Sequence, residues 1–499
     1  MPRLSRAVVL LLLTSTSAFA APATPEEAAR LTALFQSHVG DVPGVFTVKP
    51  NGEAYDVTAD AMPLVAKIPL QPGEVKPVIS ITPWQFLIAD QGGGKWLVTQ
   101  NKAFDMSVKA ENRLELVIKV GSMNYAAMFD ANLRFFTQTK ADMADITLTE
   151  KLDSPETGKM DVAYALKSMH YESANRETSP GVMDGEGKAT FDGLQEIIKS
   201  APSAEGEIPL DLTINAASGW QNVAFTGFRT VAVYDAFGWL MKNIPGDGKE
   251  LDASKQAELK GLIEAVLPLF QNIKMQGGAE TITVGSPYGQ FGLAKMDVGV
   301  DMNGLVKDGL FRESLSMEKL TMPDGLVPPF ATDFVPDRFA VDVKVTGFDV
   351  DAPVRLALAD MNKLSESGSN PEFDAQIAKA FMPTGAVTVT LNGMDLAGKV
   401  YDLSMDGAMT AGPEVKPAGK GAIHAKTLIP LISAMAALPK ELGMDMASTV
   451  LIAFNAMAKK QTDGSLLWDV EGTEDGKFLI NGVDYATLAN MGSGIPDQQ

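Results

Sequence analysis

Strict alternation of apolar and polar side chains is the feature that most limits what this chain can fold into. In "LELVIKV", Leu114, Leu116, Ile118 and Val120 alternate with Glu115, Val117 and Lys119. In "KMDVGVDMNG", Met296, Val298, Val300 and Met302 alternate with Asp297, Gly299, Asp301 and Asn303. "FAVDVKVTGF" sets Phe339, Val341, Val343 and Val345 against Asp342, Lys344 and Thr346, and "AVTVTLNGM" sets Val387, Val389 and Leu391 against Thr388, Thr390 and Asn392. Successive strand side chains point to opposite faces. A period of two with one polar face therefore means an antiparallel sheet, covered on one side and wet on the other. A parallel, doubly wound sheet would show continuous apolar strands, so it is excluded. "VFTVKPNGEAYDVTAD" adds a hairpin turning at Asn51-Gly52. Near the end, "DGSLLWDVEGTEDGKFLINGVDYATL", Asp463 to Leu488, reads as a terminal hairpin with Trp468 packed on a helix. The alternative is that Trp468 lines the mouth of an apolar groove.

Helices interrupt the strands. Thr24 is a good N-cap, Pro25 takes the first helical position, and Glu26 and Glu27 put negative charge in the first turn. Leu31, Leu34 and Phe35 share one face of this helix, and Gly40 can close it. Leu259, Leu262, Ile263, Val266, Leu267 and Phe270 mark a second helix, which Pro268 should kink or end. The pattern places a shorter helix over Glu372 to Phe381, and two more between Lys426 and Lys460, broken near Pro439 or Gly443. Such helices most simply cover the apolar face of a sheet. The expected fold is α+β: a long, curved, mainly antiparallel sheet, half-barrel or groove-like, with amphipathic helices on its apolar face. Loop chemistry near Gly181, Pro202, Gly368 and Pro413 leaves one elongated body with soft divisions into residues 21–200, 201–330 and 331–499. Asn303-Gly304, Asn392-Gly393 and Asn481-Gly482 recur at equal intervals of 89 residues. That spacing fits either a weak internal repeat or the ordinary preference of hairpin turns for Asn-Gly.

Residues 1–20, "MPRLSRAVVLLLLTSTSAFA", read as a secretory signal peptide. Arg3 and Arg6 form the positive region, Ala7 to Leu13 the apolar core, and Ala18-Phe19-Ala20 the cleavage motif, with the cut between Ala20 and Ala21. The apolar run is far short of the roughly 20 residues a spanning helix needs. No transmembrane segment is expected, and the destination is the periplasm. Loss of Arg3 and Arg6 takes the formal net charge from −20 to −22. An acidic surface of this kind repels a phosphate backbone, so no nucleic-acid partner is expected. Cysteine is absent, which removes thiol nucleophiles, thiolate metal sites and redox pairs. A chain of this length can bury a large core without disulfides.

The residues give no catalytic, cofactor or metal site. The three histidines, His38, His170 and His424, lie far apart with no zinc-ligand spacing. "GSPYG" at Gly285 to Gly289 places Ser286 out of register for a nucleophile elbow and follows it with proline. "GKGAIHAKT" has Ala425 where a phosphate loop needs glycine before Lys426. "DMNGLVKDG" at Asp301 and "GDGKELD" at Gly246 lack the calcium-loop ligand spacing. A carboxylate-pair hydrolase needs no local motif, but sugar sites favour aromatic platforms, and Trp84, Trp96, Trp220, Trp239 and Trp468 are scattered. Methionine is the unusual component, 25 in all, and includes Met123, Met143, Met169, Met435 and Met457. Methionine fills irregular core gaps and also suits surfaces that accept varied apolar partners.

"GLVPPFATDFVPDRFAVDVKVTGFD", Gly325 to Asp349, resembles periplasmic proteins of domain-of-unknown-function family 2125. The ending "GKFLINGVDYATL" resembles the close of another envelope family, and both are similar to the wider AsmA-like group of curved, groove-forming β proteins. The resemblance implies a cell-envelope protein with a groove and supplies no catalytic residues. The large envelope-spanning members of that group carry an N-terminal membrane helix, where this chain has a cleavable signal. Two functions follow as expectations: binding of lipid or another hydrophobic ligand in a sheet groove whose residues the sequence does not identify, or a non-catalytic envelope scaffold with a protein partner. A hydrolase is the third.

Overall fold

The computed structural model describes residues 22–37, 39, 42–66, 78–110, 114–154, 158–201, 209–243, 251–359, 371–413, 415–439 and 444–486. The signal segment with Ala20 and Ala21, His38, Gly40, the loops at Pro202, Gly246 and Gly368, and Gly443 lie outside the described residues.

The chain opens with α1 (Pro25–Ser37), β1 (Phe46–Asn51), β2 (Ala54–Ala59), the single turn α2 (Met62–Val65), β3 (Val78–Ile81), β4 (Trp84–Gly92), β5 (Lys95–Gln100) and β6 (Phe104–Ala110). Five long strands follow: β7 (Leu114–Asp130), β8 (Phe135–Ser154), β9 (Gly158–Ser179), β10 (Val182–Ala201) and β11 (Asp211–Phe228). After the helix pair α3 (Thr230–Asn243) and α4 (Ala253–Val266) come β12 (Asn272–Ser286), β13 (Gly289–Asn303), β14 (Leu310–Glu318) and β15 (Pro336–Thr346). A second pair, α5 (Asp351–Ala359) and α6 (Pro371–Phe381), leads to β16 (Val387–Gly398), β17 (Asp402–Ala411) and β18 (Ala418–Ala425). The third pair, α7 (Ile429–Ala436) and α8 (Met444–Met457), precedes β19 (Lys459–Lys460), β20 (Leu466–Gly472), β21 (Phe478–Ile480) and β22 (Val483–Asp484). Among the described residues no helix is long and apolar enough to cross a membrane.

The 22 strands among the described residues belong to one sheet. From β7 to β18 each strand pairs antiparallel with the next, and β18 passes the order to β20. At the other end β7 is forked: its first half pairs with β6, which carries β3, and its second half pairs with β5, followed by β4, β2 and β1. The result is a long, curved sheet that does not close into a barrel. β10 pairs with β11 and β14 with β15, the strands that flank residues 202–208 and the segment near 330. β9, with 22 residues, spans roughly 70 Å at a strand's rise per residue.

Two small cores sit at the two ends of this sheet. Ala28 and Leu31 of α1 pack on Val48, Tyr55, Val57 and Ile88, and the start of α1 is capped as its sequence demands, the Glu27 amide donating to Thr24 Oγ1 at 3.2 Å. At the far end α7 and α8 cover Ala425, Leu466, Trp468 and Ile480. The two inner helix pairs attach at one rim: Thr230 bonds the Gly181 carbonyl, and Phe381 stacks on Phe348 at 5.4 Å. Between the ends the sheet is a single layer. No strand residue of β12 through β17 is buried.

Local readings need three adjustments. The first hairpin turns at Gly52-Glu53, because Asn51 still pairs with Ala54; Gly52 supplies the positive φ of +64°. "GVMDGEGKA" is mostly strand, since only Pro180 and Gly181 are needed for the β9–β10 turn. The three Asn-Gly pairs adopt different structures: Asn303 ends β13, Asn392 and Gly393 fall at a register shift inside β16, and Asn481-Gly482 forms a tight turn with φ of +50° and +81°. Equal spacing there does not mark a repeated unit.

Candidate functional site

Direct antiparallel partners project on the same side of a sheet, so register assembles separate alternating strands into rows. One row crosses the molecule as Met123, Met143, Met169, Phe191, Gly219, Ala279, Met296, Met317 and Phe339. It ends through Leu396, Leu403, Ala425 and Leu466, beneath the C-terminal helices. On the same face the next row includes Val298, Leu315, Val341, Met394, Met405, Ile423 and Trp468. Between them, on the opposite face, stand Asn124, Asp142, His170, Thr190, Trp220, Asp297 and Ser316.

In the other half of the long strands the apolar row is Val120, Ile146, Leu166, Leu194, Ala216, Ile282 and Leu293. It lies three residues from the methionine row on every strand, where plain alternation would give two or four. The skipped residues are Gly121, Asp145, Lys167, Gly193, Ala217, Thr281 and Ala294, and pairing resumes in register on both sides of each. The line continues at Lys319, just past β14, whose amide donates to the Asp337 carbonyl. Every second strand takes a left-handed residue there: Asp145 (φ +54°), Gly193 (+66°), Thr281 (+52°) and Lys319 (+55°). A residue in that conformation breaks the two-residue pleat, so the alternation restarts one place later. The sheet thus has a crease across its strands. In β10 exposure alternates, with sheltered positions 185, 187, 189 and 191 on one side of the crease and 194, 196, 198 and 200 on the other, and with Ile197 also half-buried.

All eight crease residues are exposed, whereas Leu166 and Ala216 beside them are buried. Alanine is a fair gauge of shelter because it has no length to hide. Ala127 and Ala141 on the apolar face are 2% and 4% exposed, while Ala126 and Ala174 on the polar face are exposed. The apolar side is therefore the sheltered side. Where the crease reaches β13–β15, its two flanking rows line a half-open apolar pocket of about 240 Å³. Leu293, Leu320 and Pro336 come from one row, and Met317 and Phe339 from the other.

The polar face is laced by cross-strand ion pairs. Asp142 meets His170 Nδ1 at 2.6 Å. Arg312 grips Asp342, with Nε at 2.8 Å, and that guanidinium, followed by the Asn392 amide, holds the Asp342 carboxyl below the usual carboxylate range against its partial burial. Two larger hollows, about 440 and 540 Å³, lie on this face. They are open furrows, one between Lys140, Glu172 and Lys188 and the other between Asp142, His170 and Asp192. In the second, His170 bonds Asp142 and Ser168 bonds Asp192. Both furrows are lined by charged and polar groups, so the smaller apolar pocket is the better candidate for a hydrophobic ligand.

No family model, curated protein or solved structure matches this chain. The site reading therefore rests on geometry.

The residues singled out by sequence are scattered over this frame. His170 and His424 both sit on the polar face beside aspartates, His424 with Asp406 at 3.5 Å. Ser286 bonds its own turn at the Gly289 carbonyl. Asp301 is held by Asn272 at 2.7 Å and Lys274 at 3.4 Å. Trp468 lines no groove mouth: it is fully buried, stacked on Phe454 at 4.4 Å, and donates from Nε1 to the Phe454 carbonyl at 2.8 Å. The crease was missed, although the signal is present in one strand. In "LELVIKVGSMNYAAMF" the apolar positions run 114, 116, 118, 120 and then 123, 125, 127, 129. That change of parity at Gly121 is the crease written in sequence.

Proposed function

We propose that this protein is exported to the periplasm and holds a lipid or similar hydrophobic ligand against the apolar face of its sheet. One observation carries the reading: apolar rows run across the whole sheet while no strand side chain of β12 through β17 is buried. An open apolar face of this extent is what a ligand of matching chemistry would cover. The methionine row supports the same reading, since flexible, polarizable side chains adapt to irregular hydrocarbon. The resemblance to envelope proteins with grooves agrees with it. Native extraction followed by lipid mass spectrometry is the test. Co-purified lipid at defined stoichiometry is expected, and a ligand-free protein that also ignores hydrophobic dyes would end the proposal.

A second reading, a non-catalytic envelope scaffold, draws on the C-terminal helices. Ile429, Val450 and Ile452 are 65%, 49% and 54% exposed there, an apolar surface on the outside of the cap. Cross-linking in cells that reproducibly captures a partner through this cap would favour the second reading.

A further inference from the structure

We infer that the crease is the ligand track, and that it seats a single hydrocarbon chain lying across the strands with its end in the cavity formed by Leu293, Met317, Leu320, Pro336 and Phe339. This rests on the reading of the apolar face as a ligand site and adds where and how the ligand lies.

Three observations carry the inference. First, the crease residues are all exposed on the polar side, while apolar rows flank them on the sheltered side. The two apolar rows stand three residues apart across the crease, instead of the two of a plain pleat, which leaves between them a trough one residue wider than the spacing elsewhere on the face. A hydrocarbon chain fits a trough of that width; a helix does not, because it is about 10 Å across. Second, the trough ends in a half-open pocket of about 240 Å³ lined by five apolar residues drawn from both banks. An apolar cavity of roughly 150 Å³ is enough to take benzene, so this one can take the terminal stretch of a chain. Third, the crease keeps Asp145, Thr281 and Lys319 in left-handed backbone, a conformation unfavourable for residues with a Cβ. A plain pleat would avoid that strain but would turn one half of the apolar surface to the opposite face. The crease is what makes the apolar surface continuous.

A 16-carbon fatty acid with a diazirine near its methyl end tests this on the full chain. Irradiation and peptide mapping should place the adducts on Leu293, Met317, Leu320, Pro336 or Phe339. Met317→Trp fills the cavity and should weaken capture at least roughly tenfold, the effect of excluding about two methylenes from apolar contact. Lys344→Trp, on the polar face of the neighbouring strand β15, should leave capture unchanged and controls for folding. Retained fatty acid with adducts spread over Phe311 and Met409 would overturn the track and leave the ligand reading standing, as would capture insensitive to Met317→Trp. No capture, together with no co-purified lipid, overturns both. A protein that sediments as a dimer and excludes the probe would assign the trough to a second copy.

Discussion

At the scale of single residues, Trp468 shows how this thin molecule obtains firm points. Its ring is fully buried against Phe454 and its indole N–H satisfies the Phe454 carbonyl. Trp468→Ala removes the ring and orphans that carbonyl, so a loss of about 3–5 kcal/mol is expected in chemical denaturation. Trp468→Phe keeps most of the stack but loses the donor and should cost about 1–3 kcal/mol. In the last hairpin, the Lys477 ammonium at 2.8 Å, with help from the Thr473 hydroxyl, lowers the Asp475 carboxyl to about 2. Its folded pKa lies below its ordinary 3.8, so any support it lends the turn is complete above that value and disappears as pH falls toward 2. Carbon-detected NMR titration should find a midpoint near 2, and Lys477→Ala should move it up toward the ordinary aspartate value. A midpoint unchanged by that substitution would contradict the assignment of cause.

At the scale of elements, the crease makes unequal demands on its residues. A Cβ on Gly193 would stand 2.9 Å from the Lys167 Cβ, and φ there is +66°. Gly193→Ala should cost about 1–2 kcal/mol. Thr281 is β-branched at φ +52°, so Thr281→Gly should be neutral or stabilising by up to about 1 kcal/mol, backbone relief outweighing the entropy of glycine. A marked loss in urea denaturation would show that the threonine side chain does more than occupy the bend. The alternating strands and the helices at α1, α4, α6, α7 and α8 were legible in the sequence, whereas α3 and α5 were not read from it. The helix over residues 253–266 stops just before Pro268, and the C-terminal pair forms on both sides of the expected break. The crease was harder to see because each parity change is one residue in one strand, and only pairing aligns them.

At the scale of the whole molecule, the long strands pack chiefly on their neighbours in the sheet, with α3 on β10 and the cluster of Phe135 with Phe225 and Phe228 as the exceptions at one rim, much as in a repeat array. Stability is then close to a sum of neighbour terms, and unfolding need not be all-or-none. Urea unfolding followed by tryptophan fluorescence and by far-ultraviolet circular dichroism should give transitions that do not coincide, because three of the five tryptophans, Trp84, Trp96 and Trp468, sit at the sheet's ends while the dichroism reports every strand. Hydrogen exchange should be fastest through β12–β17, where no strand side chain is buried. A single coincident transition with uniform protection would show that the layer is covered in solution. The sequence alone determined that the sheet is antiparallel with one apolar face, since period-two patterning fixes which side chains share a face within a strand. It also placed the first helix and the helix before Pro268, through capping and proline, but not α3 or α5. Only the tertiary structure decided that the apolar residues form unbroken rows, that they bend around a crease, and that the middle of the face stays uncovered. Those properties depend on register between strands distant in sequence, and register is set by pairing that no single strand encodes.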